Sequence, residues 1–548
     1  MATRHRIADA INQTQQGDVE KYFDEISSII ENNSGTNDYR IISSDAYAQS
    51  MPMRADNFTR FHLTETALDI IDISKGYINL KIKLNATLSM AGIHIASIGD
   101  KVNEANYLYY FLGFKSGAHI VNVYNVYSNG RLTACKNTKA KYEQAINYNC
   151  KAKEEKIARP GLYSPHEKVL EMSNCVCGTY IKFPINSNLM TPQTQNITMD
   201  VILQVDDLLP FSAMSYYPRF LTGDLELEIS PNITQNMVFC PIPVESSIFK
   251  SLYPQELKSN TLSEMITHDK TRTDFRFTQC GDHTTHHIQY LDIADDGAES
   301  VVHETLHPSI IVSNLEVVEG KSYVHGFNIK DTAKQNIANK FRSQKFVIPA
   351  QWIEWYSLSQ LPNTNNLKCN IQVPMFNATQ IAFTFPNSSN QLTVSRNPHL
   401  ESIQCHVSDR IIPDKFFSTL DSAHSEMILN ALSLDSLFSA DNALIEAMTV
   451  NRGKYNSITR KLRDDSDYML VLNLERAGSG CFCDGMNGIT IPINLQANFM
   501  EGVENPHYYR KKLNDIDGKE MIYSNVNLFV VSDAFWVFEN GVWQFIKE

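Results

Sequence analysis

The residues whose types and spacing come closest to a catalytic pattern are His303-Glu304-Thr305-Leu306-His307. On a helix, His-Glu-x-x-His puts two imidazoles on one face for a zinc ion and sets the glutamate beside the metal-bound water. His283, His286 and His287 lie close by in the chain. Pro308 follows at once, so no helix runs on from His307: the ring removes a backbone donor and pushes the residue before it toward extended backbone. Ser309 to Val318 then reads as a strand, and no x-x-Gly-x-x-His continuation supplies a third ligand. The expectation is a set of exposed loop histidines, with a zinc-dependent hydrolase as the third-ranked function.

Other candidates fall to similar arguments. Cys175 and Cys177, like Cys481 and Cys483, put two thiols on one face of a strand, but one intervening residue is not the spacing of zinc ribbons, and packing is the better account. Asp206-Asp207 stands at a strand end, where aspartate bonds turn N–H groups. Arg463 to Asp467 and Asn514 to Gly518 resemble fragments of calcium loops without the closing bidentate glutamate. Lys115-Ser116, in Gly113-Phe114-Lys115-Ser116-Gly117, has the pair that a phosphate loop needs, yet no helix is predicted after it. It reads as a solvated turn, with Gly113 and Gly117 permitting tight backbone and Phe111 and Phe114 filling the core. There is no nucleophile elbow and no dinucleotide fingerprint. The expectation is a protein that is not an enzyme, with no catalytic, cofactor-binding or metal residues and no cofactor.

The elements around these residues are mostly strands. Tyr77 to Leu88 sends Ile78, Leu80, Ile82, Leu84, Ala86 and Leu88 to one face and Asn79, Lys81, Lys83 and Asn85 to the other, the period-two pattern of a half-buried strand. Asn196 to Val205 and Gly223 to Ile229 repeat the device. Asn129-Gly130 and Asn540-Gly541 are two-residue hairpin turns, the second flanked by Trp536, Phe538, Val542 and Trp543. Further strands are expected in Asp274 to Cys280, His307 to Val318, Asn339 to Leu358, Leu367 to Phe376, Thr379 to Ser389 and Ser466 to Glu475. Helix is expected in two places: an amphipathic segment around Asp18 to Ile30, and an insertion at about 415–450. The expected organisation is an N-terminal arm at 1–55, a β domain at 56–240, a linker at 241–272 and a second β domain at 273–548.

A chain of 548 residues is too long for one ordinary core, and 43% hydrophobic with 20% charged residues is a globular balance. The net charge of -13 argues against a surface dedicated to nucleic acid. No apolar run has the length of a signal core or a membrane span, which predicts a cytosolic product whose ten cysteines are reduced thiols. Long alternating strands in two similar halves suit a scaffold, and sandwiches and jelly rolls are the folds that pair or bury so many strand edges.

Tyr110 to Leu132 (YFLGFKSGAHIVNVYNVYSNGRL) resembles the start of the first roll in double jelly-roll major capsid proteins of the Polinton/Maverick, virophage and adenovirus-like lineage. Cys177 to Asn186 (CGTYIKFPIN) and Ile197 to Ile229, with its Asp-Leu-Leu-Pro turn, are similar to the end of that roll. The resemblance covers about residues 60 to 230 and carries no individual position in the second half. It implies an all-β fold of two tandem eight-stranded antiparallel jelly rolls. It implies self-association into a homotrimer with a hexagonal outline that tiles an icosahedral shell with neighbouring trimers and minor capsid or penton proteins. A virion location follows, with the N-terminal arm at the inner face. The alternative is a jelly-roll module binding carbohydrate or a partner through loops, its best hint being exposed aromatics in Gln351 to Tyr356.

Overall fold

The computed structural model describes residues 37–46, 52, 57–91, 107–136, 143, 161, 177–184, 191–212, 214–231, 236–241, 277–283, 286–293, 299–343, 345–359, 366–385, 400–418, 469–474, 485–499, 525–539 and 541–547. The amphipathic segment at 18–30 and the insertion beyond Ser418 lie outside the described residues. In chain order the first strands are β1 (Asn37–Asp45), β2 (Thr59–His62), β3 (Ile70–Asp72), β4 (Tyr77–Ala91), β5 (Tyr107–Gly113) and β6 (Val121–Ser128). Next come β7 (Arg131–Lys136), β8 (Gly178–Pro184), β9 (Gln193–Gln204), β10 (Tyr216–Tyr217), helix α1 (Arg219–Thr222), β11 (Leu225–Pro231) and β12 (Val238–Pro241). Then follow β13 (Thr278–Gln279), β14 (His286–Ile293), β15 (Glu299–Asn328), helix α2 (Asp331–Ser343), β16 (Phe346–Ser359), β17 (Asn366–Thr384) and β18 (Leu400–Val407). The last are β19 (Arg410–Ser418), β20 (Leu470–Asn473), β21 (Met486–Phe499), β22 (Asn525–Glu539) and β23 (Val542–Ile546).

Strand pairing in the first half is nested. β6 and β7 form a hairpin at Asn129-Gly130, whose φ values of 49° and 73° give the turn its twist. Around that hairpin β5 pairs with β8, β4 with β9 and β2 with β11, every pair antiparallel and each enclosing the one before it in sequence. A long ribbon of strand pairs folded over itself in this manner is a jelly roll. Folding over places β2-β11-β6-β7 in one sheet and β13-β12-β5-β8 in another. Tyr124, Val126 and Leu227 from the first and Tyr110, Leu112 and Phe239 from the second share one core. The alternation along β4 is realised fully: Ile78, Leu80, Ile82, Leu84, Ala86 and Leu88 are all buried.

The second half repeats the plan. β18 and β19 form the inner hairpin, β17 pairs with β21 around it, and β16 pairs with β22 outside that. Residues 366–378 of β17 pair with β21, whereas 378–384 pair with β22, Ala378 pairing with both. The change of partner falls at register shifts between Met375 and Gln380, where Asn377 takes a φ of 47°.

Four elements depart from the sequence reading, the first being β19, which runs as strand through Ser418 where the helical insertion was expected from about 415. α2 occupies Asp331–Ser343, so the strand expected from Asn339 begins only at Phe346. Ala333, Ile337 and Phe341, one helical turn apart, enter the core beside Ile329. β15 is far longer than the strand read at 307–318 and leaves the second half: it pairs with β4 from His307 to Tyr323, and β1 pairs with its far end. Ile310, Val317, Val324 and Phe327 therefore pack in the first core. The arm at 1–55 thus contributes a strand as well, β1, which was not anticipated.

Glycine settles one close approach. A Cβ on Gly117 would overlap the backbone carbonyl of Ile202 in β9, while one on Gly130 would meet nothing within 4 Å. Gly117→Ala is expected to cost at least about 3 kcal/mol in denaturant unfolding, since the obstacle is backbone that cannot rotate away. Gly130→Ala, penalised only by its positive φ, is expected to cost about 1 kcal/mol.

Candidate assembly surfaces

The sequence candidates for chemistry are dispersed. His303, Glu304 and His307 lie within β15, not in a loop: His303 faces Gln289 and Glu304 faces Ile288 in the β14–β15 ladder. Four residues along a strand span about 13 Å, so His303 and His307 do not have the one-turn spacing that a helical zinc pair needs. The exposed-loop expectation is corrected for the same reason: the run that Pro308 excludes from helix is taken up as strand. Cys177 is a buried free thiol, while Cys175, Cys481 and Cys483 lie outside the described residues, as do 463–467 and 514–518. Asp206 and Asp207 form a single 3-10 turn with Val205, and Asp207 is buried. Among the described residues no cluster of three or more His, Cys, Asp or Glu is placed to hold a metal ion, and no helix is long and apolar enough to cross a membrane.

The Lys115-Ser116 turn is not solvated. A short 3-10 helix, Gly117–Ile120, follows it, and the Ser116 hydroxyl caps that helix by accepting from the Ala118 N–H at 3.2 Å. Gly117 donates its own N–H to the Gly161 carbonyl. Packing of this turn beneath β9 leaves Lys115 0% exposed, its Nζ 5.3 Å from the centre of the Phe277 ring. Phe111 and Phe114 are both buried, as expected.

The aromatic residues of the C-terminal hairpin join the two halves. Trp536 of β22 donates its indole N–H to the Pro210 carbonyl and stacks on Phe211 at 5.9 Å, both in the turn after β9. Trp543 of β23 stacks on Tyr217 at 6.1 Å and meets Trp536 edge-on at 5.9 Å. The Leu209-Pro210-Phe211 turn is thus the socket and the β22–β23 hairpin the plug. The β6–β7 and β22–β23 hairpins flank a cleft of about 320 Å³ lined by Asn129, Arg131, Thr133, Trp543 and Gln544. Residues 351–356 offer no exposed aromatic platform: Trp352 is buried beneath the Lys547 ammonium, 3.5 Å from its ring centre, and Trp355 and Tyr356 pack on the second core.

A polar clasp holds β1 to the first roll. The Tyr39 hydroxyl donates to Asp72 at 3.2 Å and lies 3.3 Å from His325 Nδ1 on β15. Asp72 also accepts from Ser74 at 2.6 Å and pairs with Lys75 at 3.2 Å. Burial holds the His325 imidazole below its ordinary pKa, with Asp72 opposing and Lys75 assisting.

The outward face of the first roll is charged and cross-linked. Arg60 pairs with Glu226 at 3.2 Å and Glu228 at 3.3 Å while its guanidinium lies 4.1 Å over the Tyr127 ring. Glu228 accepts from Asn125 and Tyr127 as well. Lys81 and Glu319 face each other across β4 and β15 at 3.9 Å. Neither this network nor the clasp was found from sequence, because each joins residues that only the folded strand order brings together.

No protein-family model and no curated protein matches the chain. Among solved structures it is similar to the mavirus major capsid protein, with 9% identity over 92% of this chain and 90% of that one and a TM-score of 0.45. It is similar to a chain of the Sputnik virophage, with 10% identity over 94% and 89% and a TM-score of 0.44. It is also similar to the Faustovirus major capsid protein, with 8% identity over 93% and 90% and a TM-score of 0.37.

Trp536→Ala is expected to lower unfolding stability by about 3–5 kcal/mol, whereas Trp536→Phe, which keeps the ring packing and loses the hydrogen bond to Pro210, costs less. Calorimetry of both variants checks the order. For His325, the unfolded chain takes up a proton before the folded one does, so folding is progressively disfavoured as pH falls below about 6.5. The parent is therefore expected to lose stability relative to His325→Gln between neutral and mildly acidic pH, as read from paired denaturant titrations.

Proposed function

We propose that this chain is the major capsid protein of an icosahedral virus. Three copies form a capsomer of six rolls with a hexagonal outline, and capsomers tile the shell. The observation that carries the reading is the locked pair of nested rolls. Two jelly rolls joined by a buried aromatic seam act as one stiff block, and strands standing across a shell resist bending along their length. The resemblance of residues 60 to 230 to double jelly-roll capsid proteins supports the same reading. Charged, salt-bridged outward strands such as those carrying Arg60, Glu226 and Glu228 guard the block against indiscriminate sheet-to-sheet association. That leaves assembly to specific surfaces.

In this role the chain performs no chemistry. Its work is to present complementary faces at fixed angles, so closure of the trimer and then of the facet follows from symmetry. Sedimentation velocity and negative-stain microscopy of the purified full chain test the proposal. The expected result is a species of three chains with a hexagonal projection, and higher assemblies as concentration rises. A chain that remains single from low to high salt and at every concentration overturns it.

A further inference from the structure

Building on that reading, we propose that the outer face of the second roll, formed by β17, β21 and β18, is a contact between copies of this chain. The inward residues of these strands, among them Leu367, Leu495 and Cys405, enter the second core. The outward ones stand in register. Asn494, Gln496 and Asn498 fill the central column on β21. Asn370 lies opposite Asn494 on β17, with Gln372 continuing the β17 column, and both are exposed, whereas Gln404, opposite Gln496 on β18, is buried. Lys368 and His406 are the titratable groups on this part of the face.

The contrast with the β2–β11 and β4–β15 pairs of the first roll is what points to burial. Those strands carry Arg60, Glu226, Glu228, Lys81 and Glu319, groups that favour water. A chain of net charge -13 repels its own copies, and a face of neutral amides is where two of them can approach with least repulsion. Amides also lose far less than ions when water is removed, and each brings donors and acceptors that another amide can satisfy. Asn498 already donates to Ser402 at 2.8 Å across the strands.

An apolar anchor completes the surface. Ile411 of β19 lies directly opposite His406, extending the row of Asn370 and Asn494, and is 42% exposed. A charge-poor polar field around an exposed isoleucine has the composition of a protein interface centre. A sugar site would call for an exposed aromatic platform, which these outward positions do not supply. Three strands by three residues project roughly 300 Å², about a third of the ~800 Å² per partner of a stable interface. The amide block is therefore the centre of the contact and not all of it.

The test uses the full chain and reads assembly by sedimentation velocity beside melting temperature. Asn494→Asp with Gln496→Glu adds two negative charges to the centre of the face without changing side-chain size. Ile411→Ser removes the exposed anchor, so it keeps the test valid if the first variant folds poorly. Asn196→Asp with Thr198→Asp, at exposed positions on β9, is the control for added charge. The expected result is that both face variants weaken association at least about tenfold while the control associates like the parent and all melt alike. Face variants that associate as the parent does, or a control weakened equally, overturn the inference and leave the capsid reading standing. A parent that never associates overturns the capsid reading itself, and this inference with it.

Discussion

The contact of Trp536 with Pro210 and Phe211 is the interaction on which the rest of the architecture depends. β22 lies between β16 and β17, with nearly every residue from Val526 to Phe538 buried. A strand covered on both faces must be apolar in both alternating sets, and along its length one and the same face passes from the second core to the first. Ala534, Trp536 and Phe538 pack in the first core, whereas Val526, Leu528 and Val530 pack in the second. The halves are therefore not beads on a string. The indole hydrogen bond satisfies the one polar atom that this burial would otherwise strand.

The outward faces of the two halves carry different groups. On the first roll, long-range ion pairs hold Arg60, Glu226 and Glu228 in a fixed lattice with Tyr127. On the second, amides line three strands in register. β15 reinforces the joint from the other side: it is in sequence a part of the second half, yet it pairs with β4 and β1 and so ties chain segments more than two hundred residues apart.

Two patterns that invite a chemical reading are placed in a conformation other than the one that chemistry needs, for identifiable reasons. Lys115 has the right neighbours in sequence for a phosphate loop, but the 3-10 turn after it is pressed against β9 by the side-chain-free Gly117, and the ammonium ends over Phe277. His303 and His307 have the right spacing for a helix and are extended instead. In both cases the local pattern is real, and the partner that decides its meaning lies far away in the chain.

What the sequence alone determined was everything governed by nearest neighbours: period-two burial along β4, β9 and β11, the Asn-Gly hairpins, and the all-β character that these require. Those signals are local because side-chain alternation and turn dihedrals are set by a few adjacent residues. The tertiary structure alone decided that β15 crosses to the first roll, that Ala333, Ile337 and Phe341 are helical, that Lys115 is buried, and that Tyr39, Asp72 and His325 meet. Each of these depends on which strand lies beside which, a choice made by summed burial and backbone pairing across hundreds of residues and written in no short stretch of the chain.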